Sequence, residues 1–463
     1  MKLPLRRIAE FTGAKGDFDG EAVAMGYSID SRTLNHLDLF FAIRGDRFDG
    51  HDYVKAALEK GAVAAVVDSG RTLDADPHRL LVVDDPLQAL QSVGAAARRL
   101  WGKPVLGVTG SVGKTTTKDL LAHVLARRFR VMKTIGNFNN HIGLPLQLLK
   151  LESEHEIAVV EMGMNHLGEI RALAQLGQHD LAVVTAVAPV HLEFFNSLAD
   201  IARAKYEIVE TLPPNGVAVL NADDDYVSQF GRGFKGKVVT FGIRRAADVS
   251  AGNIRLNGAE GSEFDLIAGS VREQVRLPLV GEHNIYNALA ASAAAMERGV
   301  PPSDVVEALA TVEPGEKRGQ VLEIDGAKLI NDCYNSNPKA LDAMIDTLAS
   351  MPAKRRILIA GEMLELGATG PALHAECGRH AAEKKIDFVI GVRGAAKSLA
   401  EAACGRGTQA QFVESPEEAG EWLARELRPG DAVLLKGSRG VKLERALDRV
   451  QKKNAQPETA GKG

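Results

Sequence analysis

Cysteine is scarce in this chain. Its 463 residues include three cysteines, Cys333, Cys377 and Cys404, an odd number without CxxC spacing. Such usage is typical of a reducing compartment and argues against a disulfide framework or a zinc site built on paired thiols. We therefore assign no function to the thiols.

The chain also lacks a basic excess and long apolar runs. Its formal net charge is -4 with 25% charged residues, so no surplus of positive charge attracts nucleic acid or anionic lipid. No uninterrupted apolar run reaches the roughly 18 residues of a membrane span, and the opening MKLPLRRIAE has no continuous apolar stretch after its charges. We expect a cytoplasmic protein without nucleic-acid partners or membrane insertion.

Strand-like apolar runs alternate with helical patterns through most of the sequence, which indicates an α/β fold of parallel sheets flanked by helices. The length allows several domains. We place one boundary near Leu100, where a helical pattern meets Pro104 and a new strand, and another near Pro314, where a fresh strand pattern starts. The predicted segments are 1–100, 101–313 and 314–455, followed by a polar, disordered tail over 456–463.

The strongest local signal is VLGVTGSVGKTTTKDLLAHVLA, an apolar strand leading through a glycine-rich turn into a helix. In such a loop, glycines let the backbone approach phosphate oxygens, Lys114 would reach the β- and γ-phosphates, and the Thr115 hydroxyl would hold Mg²⁺. The match to GxxxxGK[ST] is imperfect, because Val108 stands where the first glycine belongs. A fortuitous turn is the alternative, but strand, turn, Lys-Thr pair and helix all agree. The predicted ATP-binding loop residues are Thr109, Gly110, Ser111, Val112, Gly113, Lys114, Thr115 and Thr116.

Three further residues lie in patterns that suit a metal-dependent nucleotide enzyme. Glu161 ends the apolar run IAVVE, where a carboxylate for Mg²⁺ is expected, although a solvated strand-end carboxylate is an equal alternative. His191 follows the next apolar run, and a lone histidine there is more often structural. Lys205 lies in the helical pattern SLADIARAKYEIVE, where a lysine usually extends its amine to solvent.

The order of motifs along the chain is more specific than any one of them. GVTGSVGKTTT, GNFNNHIGLP, VVEMGMNHLGEI, AVAPVHLEFF, ARAKYEI, GEHNIYNALAA, NDCYNSNP and KGSRGVKLE together closely resemble the Mur ligase family. The resemblance covers essentially the whole chain, and the opening YSIDSRTLNHLDLFFAIRGDRFDGHDYV is similar to the family's uridine-nucleotide-binding domain. The combination of GNFNNHIGLP with NDCYNSNP and GEMLELG resembles the family members that add D-alanyl-D-alanine. The DNPR-type motif of the diaminopimelate- or lysine-adding members is absent.

This resemblance implies three domains: an N-terminal one for the UDP-muramoyl substrate, a central P-loop ATPase-like parallel sheet, and a C-terminal Rossmann-like domain that closes over the site. It implies an ATP-dependent ligase that joins D-alanyl-D-alanine to UDP-N-acetylmuramoyl-tripeptide through an acyl phosphate, during peptidoglycan precursor synthesis. We expect a monomer.

The resemblance also implies residue roles. Thr115 and Glu161 would bind one Mg²⁺, and His191 and a carbamoylated Lys205 would help hold a second; Lys114, Glu161, His191 and Lys205 form the implied catalytic set. The other implied contacts are Asn284 and Asn287 near adenine, Arg318 and Asp332 at the phosphates and ribose, Ser31 and Arg32 at the uridine nucleotide, Asn139 and Asn140 at the muramoyl peptide, and Ser438 and Arg439 at the incoming dipeptide or the acyl group. Tyr334 and Asn335 are left open as contacts.

Several alternatives stay open at this point. A sibling Mur ligase or a folylpolyglutamate synthase-like ligase would share the central domain, and a non-catalytic ATP-binding partner subunit would share the phosphate loop. A GTPase is disfavoured because no NKxD-like element follows the loop. The sequence does not distinguish diaminopimelate from lysine as the third residue of the acceptor peptide.

Overall fold

A computed structural model describes residues 1–45, 47–190 and 192–455, the last four of these by backbone alone. In this part of the chain the strands form sheets of four, nine and six strands and one two-stranded pair. Each larger sheet draws its strands from one of the three predicted segments. The expected α/β class is confirmed, whereas the domain boundaries stay predictions and the tail over 456–463 lies outside the described residues.

The first segment is built around a small parallel sheet. Its elements are β1 (Leu3–Pro4), α1 (Leu5–Thr12), β2 (Val23–Ala24), β3 (Gly26–Ser28), β4 (Asp38–Phe41), α2 (Val54–Glu59), β5 (Ala64–Asp68), β6 (Leu80–Val83) and α3 (Pro86–Trp101). The sheet order is β3-β4-β5-β6. Local sequence sets the ends of α3, because Asp85 accepts a hydrogen bond from the Leu87 backbone N–H at 2.7 Å and Gly102 ends the helix with a φ of 68°.

The middle segment contains the largest sheet. Its elements are β7 (Val105–Thr109), α4 (Lys114–Leu125), β8 (Val131–Lys133), α5 (Gly143–Leu148), β9 (Ile157–Glu161), α6 (Glu169–Gly177), β10 (Leu181–Val184), α7 (Leu198–Glu210), β11 (Val217–Asn221), β12 (Lys237–Gly242), β13 (Val249–Leu256), β14 (Ser262–Ala268), β15 (Val271–Leu277), α8 (Glu282–Met296) and α9 (Pro302–Ala310). The order is β15-β14-β13-β12-β11-β10-β7-β9-β8, and neighbouring strands pair in parallel except for β13–β14 and β14–β15.

Strand β7 lies at the switch point of this sheet. Strands β7, β9 and β10 are buried along their whole length, as expected for parallel strands covered on both faces. β9 pairs with one edge of β7, and the next strand along the chain, β10, pairs with the opposite edge. The carboxyl ends of these strands therefore form the crevice where open α/β sheets bind ligands.

The third segment carries a second switch point. Its elements are β16 (Gln320–Ile324), β17 (Ala327–Asp332), α10 (Pro338–Ser350), β18 (Arg355–Gly361), α11 (Gly370–Glu383), β19 (Phe388–Val392), α12 (Ala396–Cys404), β20 (Gln409–Val413), α13 (Pro416–Glu426), β21 (Asp431–Lys436) and α14 (Glu444–Ala455). The order is β16-β17-β21-β18-β19-β20, with only β16 antiparallel among these described strands. The late strand β21 inserts beside β17, so Asp332 and Lys436 lie opposite each other at the carboxyl edge.

No helix in the described ranges combines the length and the apolar character needed to cross a membrane.

Candidate active site

The two switch points face one cavity of about 940 Å³. The middle segment contributes the phosphate loop, Glu161 and the start of α8, and the third segment contributes Arg318, Asp332 and Tyr334. Residues that are far apart in the sequence therefore meet in one space. The cavity is large enough for a nucleotide together with a second ligand.

Steric limits explain the two glycines of the phosphate loop. Gly110 has a φ of 150°, and a β-carbon there would collide with Oγ1 of Thr185. Gly113 has a φ of 83° at the start of α4, and a β-carbon there would collide with Oδ1 of Asn287. The loop can hold this shape only with glycine at both positions.

The loop is pinned to the strand beside it. The Ser111 N–H donates to the Ala186 carbonyl at 2.7 Å, and the Ala188 N–H donates to Ser111 Oγ at 3.0 Å. On the other side, Thr109 Oγ1 donates to the Met162 carbonyl at 2.8 Å. Val112 and Thr116 line the cavity beside them. The backbone is thus rigid before any ligand arrives, which favours binding.

Lys114 is folded back over this loop. Its Nζ donates to the Gly110 carbonyl at 2.8 Å and lies 3.4 Å from the Ser111 carbonyl. Burial lowers the pKa of Lys114, the Glu161 carboxylate raises it, and the Arg318 guanidinium lowers it further. Glu161 and Arg318 therefore lie close enough to Lys114 for their charges to act on its amine. All three residues line the cavity beside the phosphate loop.

Asn284 and Asn287 connect α8 to the phosphate loop. Asn284 Nδ2 donates to the Val280 carbonyl at 2.8 Å, and Asn287 Nδ2 donates to Asn284 Oδ1 at 2.9 Å. Thr117 Oγ1 then donates to Asn287 Oδ1 at 3.2 Å. Both asparagines line the cavity, but their carboxamides already hold the loop in place, a role that the sequence did not reveal.

Arg318 comes from the third segment and reaches the start of α4. Its Nη2 donates to Thr115 Oγ1 at 3.2 Å, and its guanidinium carbon lies 3.8 Å from the centroid of the Tyr334 ring. Asp332 is paired with Lys436, whose Nζ donates to Asp332 Oδ2 at 2.6 Å and to the Asn335 carbonyl at 3.0 Å. Sequence reasoning missed Lys436 as a site residue, although its position at the end of an apolar run, as the first residue of KGSRG, was a usable signal.

Glu161 is buried at the end of β9, and one of its two carboxylate oxygens lacks a hydrogen-bond partner in the part of the chain that the structure describes. Asn139 Nδ2 donates to Glu161 Oε1 at 2.8 Å, whereas the buried Oε2 has no hydrogen-bond partner among the described residues. A buried, unpaired carboxylate oxygen is costly unless a cation or donor meets it. The donor set of Glu161 Oε2 and the Thr115 hydroxyl, in one cavity, therefore fits a hard cation such as Mg²⁺.

Lys205 lies in the interior instead of extending to solvent. It is 2% exposed on α7, and burial, followed by the Lys114 charge, lowers its pKa well below the usual value. The sequence alternative of a solvent-directed lysine is therefore wrong. His191 lies outside the described residues. No cluster of three or more metal-ligating His, Cys, Asp or Glu side chains occurs within the described ranges.

The predicted substrate residues are distributed over the molecule. Asn139 and Asn140 line the cavity next to the phosphate loop, and Asn140 Oδ1 also accepts from the Gly143 N–H at 2.8 Å. Arg439 lines the same cavity and donates to Glu444 Oε1 at 2.8 Å. Ser438, by contrast, is buried, accepts from the Leu364 N–H at 3.0 Å and is not among the described lining residues.

Ser31 and Arg32 lie in the first segment, after β3, and not on the cavity wall. The Arg32 side chain is exposed, and its Nη2 donates to Asp30 Oδ2 at 2.7 Å. That pairing lowers the pKa of Asp30 to about 2. The structure does not bring this exposed guanidinium to the phosphate loop, and its role stays a prediction.

A polar cluster on the cavity wall, around Asp223, was missed from the sequence. Asp223 accepts from the Arg244 backbone N–H at 2.9 Å and from the Tyr286 hydroxyl at 2.8 Å. Burial opposes ionisation of Asp223, but the N–H groups of Arg244 and Ile243 outweigh it and lower its pKa. Burial also lowers the pKa of His283, which lines the same cavity, to about 4, so this imidazole is neutral. The run NADDD after an apolar strand was the available signal for Asp223.

Comparison with known proteins agrees with this architecture. Residues 24–98 match the Mur ligase family catalytic domain, residues 108–295 match the Mur ligase middle domain, and residues 317–439 match the Mur ligase glutamate ligase domain. A UDP-N-acetylmuramoyl-tripeptide--D-alanyl-D-alanine ligase of Bacillus subtilis is 35% identical over 96% of this chain and 97% of its own length.

Solved structures give the same result. A crystal structure of MurF from Acinetobacter baumannii superposes with a TM-score of 0.90 at 31% identity, over 98% of this chain and 99% of that one. MurF from Thermotoga maritima in complex with ADP superposes with a TM-score of 0.80 at 29% identity, over 93% and 97% of the two chains. The chain belongs to the Mur ligase family.

Proposed function

We propose that this protein is an ATP-dependent ligase that joins D-alanyl-D-alanine to UDP-N-acetylmuramoyl-tripeptide in peptidoglycan precursor synthesis. The observation that carries the proposal is the meeting of a phosphate loop, a half-bonded buried carboxylate and a third-segment arginine in one cavity. The relatives that match nearly the whole chain carry this activity in their names. The proposed domains are 1–100 for the UDP end, 101–313 for ATP and 314–455 for closure.

Amide formation from a carboxylate needs activation, because the carboxylate is a poor electrophile and its oxygen a poor leaving group. In the proposed reaction the terminal carboxylate of the tripeptide attacks the γ-phosphorus of ATP, which forms an acyl phosphate and leaves ADP bound. The free amine of the dipeptide then attacks the acyl carbon, and inorganic phosphate departs. No covalent bond to the enzyme is required.

Lys114 and the amides of the loop from Thr109 to Thr116 hold the phosphates in this scheme. Lys114 is half-buried, so solvent screens its attraction for phosphate oxygens less than it would at an exposed position. Arg318 and Asp332 bring the third segment onto the nucleotide. Asn284 and Asn287 contribute by fixing the loop, in addition to their proposed place near adenine.

We assign Thr115, Glu161, His191 and Lys205 to the two Mg²⁺ sites of the reaction. The unpaired Oε2 of Glu161 supports this assignment, and Mg²⁺, when bound, neutralises phosphate charge during transfer. The low pKa of Lys205 supports its carbamoylation, because only an unprotonated amine adds CO₂. The carbamate would turn a buried neutral amine into an anion suited to a metal.

Three proposed contacts hold the substrates. Ser31 and Arg32 bind the uridine diphosphate end, and Arg is well suited to a diphosphate. Asn139 and Asn140 face the peptide beside Glu161. Arg439 meets the carboxylate of the incoming dipeptide, and Ser438 acts through the loop that it anchors. A monomer acting in the cytoplasm, where nucleotide-linked precursors are made, is part of the same proposal.

Phosphate release tests this function. The full chain is mixed with ATP, Mg²⁺ and UDP-N-acetylmuramoyl-tripeptide, and D-alanyl-D-alanine is compared with single amino acids, with the Lys114→Met variant as the control for contaminating ATPases. We expect phosphate release and the mass of the dipeptide-extended product only with the dipeptide and the unaltered chain. A second set of mixtures replaces the tripeptide with shorter UDP-muramoyl precursors, and release there with a single amino acid would instead assign the chain to a sibling activity.

A further inference from the structure

Arg318 is presented to the phosphate loop by the stretch that joins α9 to β16. This stretch is fixed to the third segment at Lys317, whose carbonyl accepts from the Tyr334 N–H at 3.1 Å. Lys317 Nζ also lies 3.0 Å from Glu444 Oε1. The backbone before Arg318 therefore moves with the third segment, but the long side chain of Arg318 needs a separate restraint.

The Tyr334 ring supplies that restraint. The guanidinium carbon of Arg318 lies 3.8 Å from the ring centroid, while Nη2 of the same group donates to Thr115 Oγ1 at 3.2 Å. The Arg439 guanidinium approaches the ring at 6.0 Å and is tied to Glu444. Tyr334 is half-buried and lines the cavity with both arginines. The aromatic face thus lies against one face of the Arg318 cation.

Stacking of this kind orients an arginine without using its donors. A guanidinium attracted to an aromatic face keeps its N–H groups in its own plane, free for oxygen atoms at the edge. The stack also limits the rotamers of a side chain that would otherwise lose rotamer freedom when a ligand binds. Preorganisation raises affinity because this entropy has been lost before the ligand arrives.

We propose that Tyr334 is a positioning residue for ATP, which holds the Arg318 guanidinium in the plane where it meets the phosphates. This inference rests on the proposed ATP site and deepens it. The ring acts through its face, so the hydroxyl is dispensable. Tyr334 has no role in recognising the dipeptide, and its effect depends on the presence of Arg318.

The test measures binding of the β,γ-methylene analogue of ATP, with Mg²⁺, to the full chain by calorimetry. The variants are Tyr334→Phe, Tyr334→Leu, Arg318→Met and a double variant that combines Arg318→Met with Tyr334→Leu. Phe412→Leu, on the edge strand β20 of the same segment, controls for loss of an aromatic ring. Thermal unfolding of each variant reports whether the fold is intact. Because binding is measured directly, failure of the proposed ligase activity would not obscure the result.

A cation–π contact in a partly dry site corresponds to about a fivefold change in affinity, so Tyr334→Leu should weaken binding about fivefold. Tyr334→Phe should bind within about twofold of the unaltered chain, since a phenyl face attracts the cation similarly. In turnover assays, Tyr334→Leu should raise KM for ATP and leave KM for the dipeptide unchanged. The double variant should bind no more weakly than Arg318→Met alone.

Three results would overturn the inference. Additive losses in the double variant would mean that Tyr334 acts independently of Arg318. A Tyr334→Phe variant as weak as Tyr334→Leu would assign the effect to the hydroxyl. Unchanged binding in Tyr334→Leu, with a thermal midpoint like that of Phe412→Leu, would show that Arg318 needs no aromatic support.

Discussion

Replacing Gly113 by alanine should cripple nucleotide binding without unfolding the protein. Gly113 has a φ of 83°, and a β-carbon there would meet Oδ1 of Asn287. The left-handed backbone costs about 1 kcal/mol for alanine. Displacing Asn287 would weaken its bonds to Thr117 and Asn284, at about 1 kcal/mol each.

The total of about 3 kcal/mol corresponds to roughly 100-fold weaker binding if the altered loop must return to its present shape to hold phosphate. Gly299→Ala is the matched control, because Gly299 has a φ of 82° but nothing within 4 Å of its missing β-carbon. The Gly299→Ala variant carries the same backbone strain at a position that does not line the cavity, so it should bind nucleotide normally.

Calorimetric titration with the ATP analogue measures both variants. If Gly113→Ala binds as tightly as Gly299→Ala, the steric argument for the phosphate loop is refuted. In an Asn287→Ala background the collision disappears, so Gly113→Ala should then weaken binding only about fivefold, the backbone part alone.

Three further predictions concern single side chains. Lys114→Met should abolish phosphate release and leave the thermal midpoint nearly unchanged; turnover above a hundredth of the normal rate would contradict its role. Lys205→Ala should be inactive and partly restored by short carboxylic acids that replace the carbamate, whereas rescue by amines would contradict this account. Burial lowers the pKa of His179 to about 4 from about 6.5, so the folded state resists its protonation and stability is lost as pH falls from 6.5 toward 4. From pH 7.5 to 5.5 this amounts to about 1.3 kcal/mol, or about 3 °C in the thermal midpoint, and His179→Gln should lose correspondingly less; an equal loss in both proteins would refute it.

The sequence predicted the parts of the site that depend on local pattern. The run from Val105 through the glycine-rich turn into a helix has this form in the structure, and Glu161 ends a buried strand as expected. Parallel strands place their carboxyl ends together, so topology alone brings these elements to one edge. The order of motifs then indicated the family, which the comparisons confirm.

The contacts between distant residues could not be predicted. Lys205 fits an amphipathic helix from its spacing, yet the helix turns it inward, and only the packed structure reveals this. Ser438 stays a predicted ligand contact, but the hydrogen bond from the Leu364 N–H to its hydroxyl, across 74 residues of sequence, could not be predicted. Likewise, nothing in the spacing of Arg318 and Tyr334 indicates a stack, because their contact depends on how the stretch between α9 and β16 lies against the residues that follow β17.

Oxygen transfer from the acceptor carboxylate tests the central claim most directly. The tripeptide is labelled with ¹⁸O in both oxygens of its reacting carboxylate, and the inorganic phosphate formed with ATP, Mg²⁺ and D-alanyl-D-alanine is analysed by mass spectrometry. An acyl phosphate requires one labelled oxygen in each phosphate released, with the other retained in the new amide carbonyl. Unlabelled phosphate accompanied by the extended product would contradict activation of the carboxylate by phosphoryl transfer.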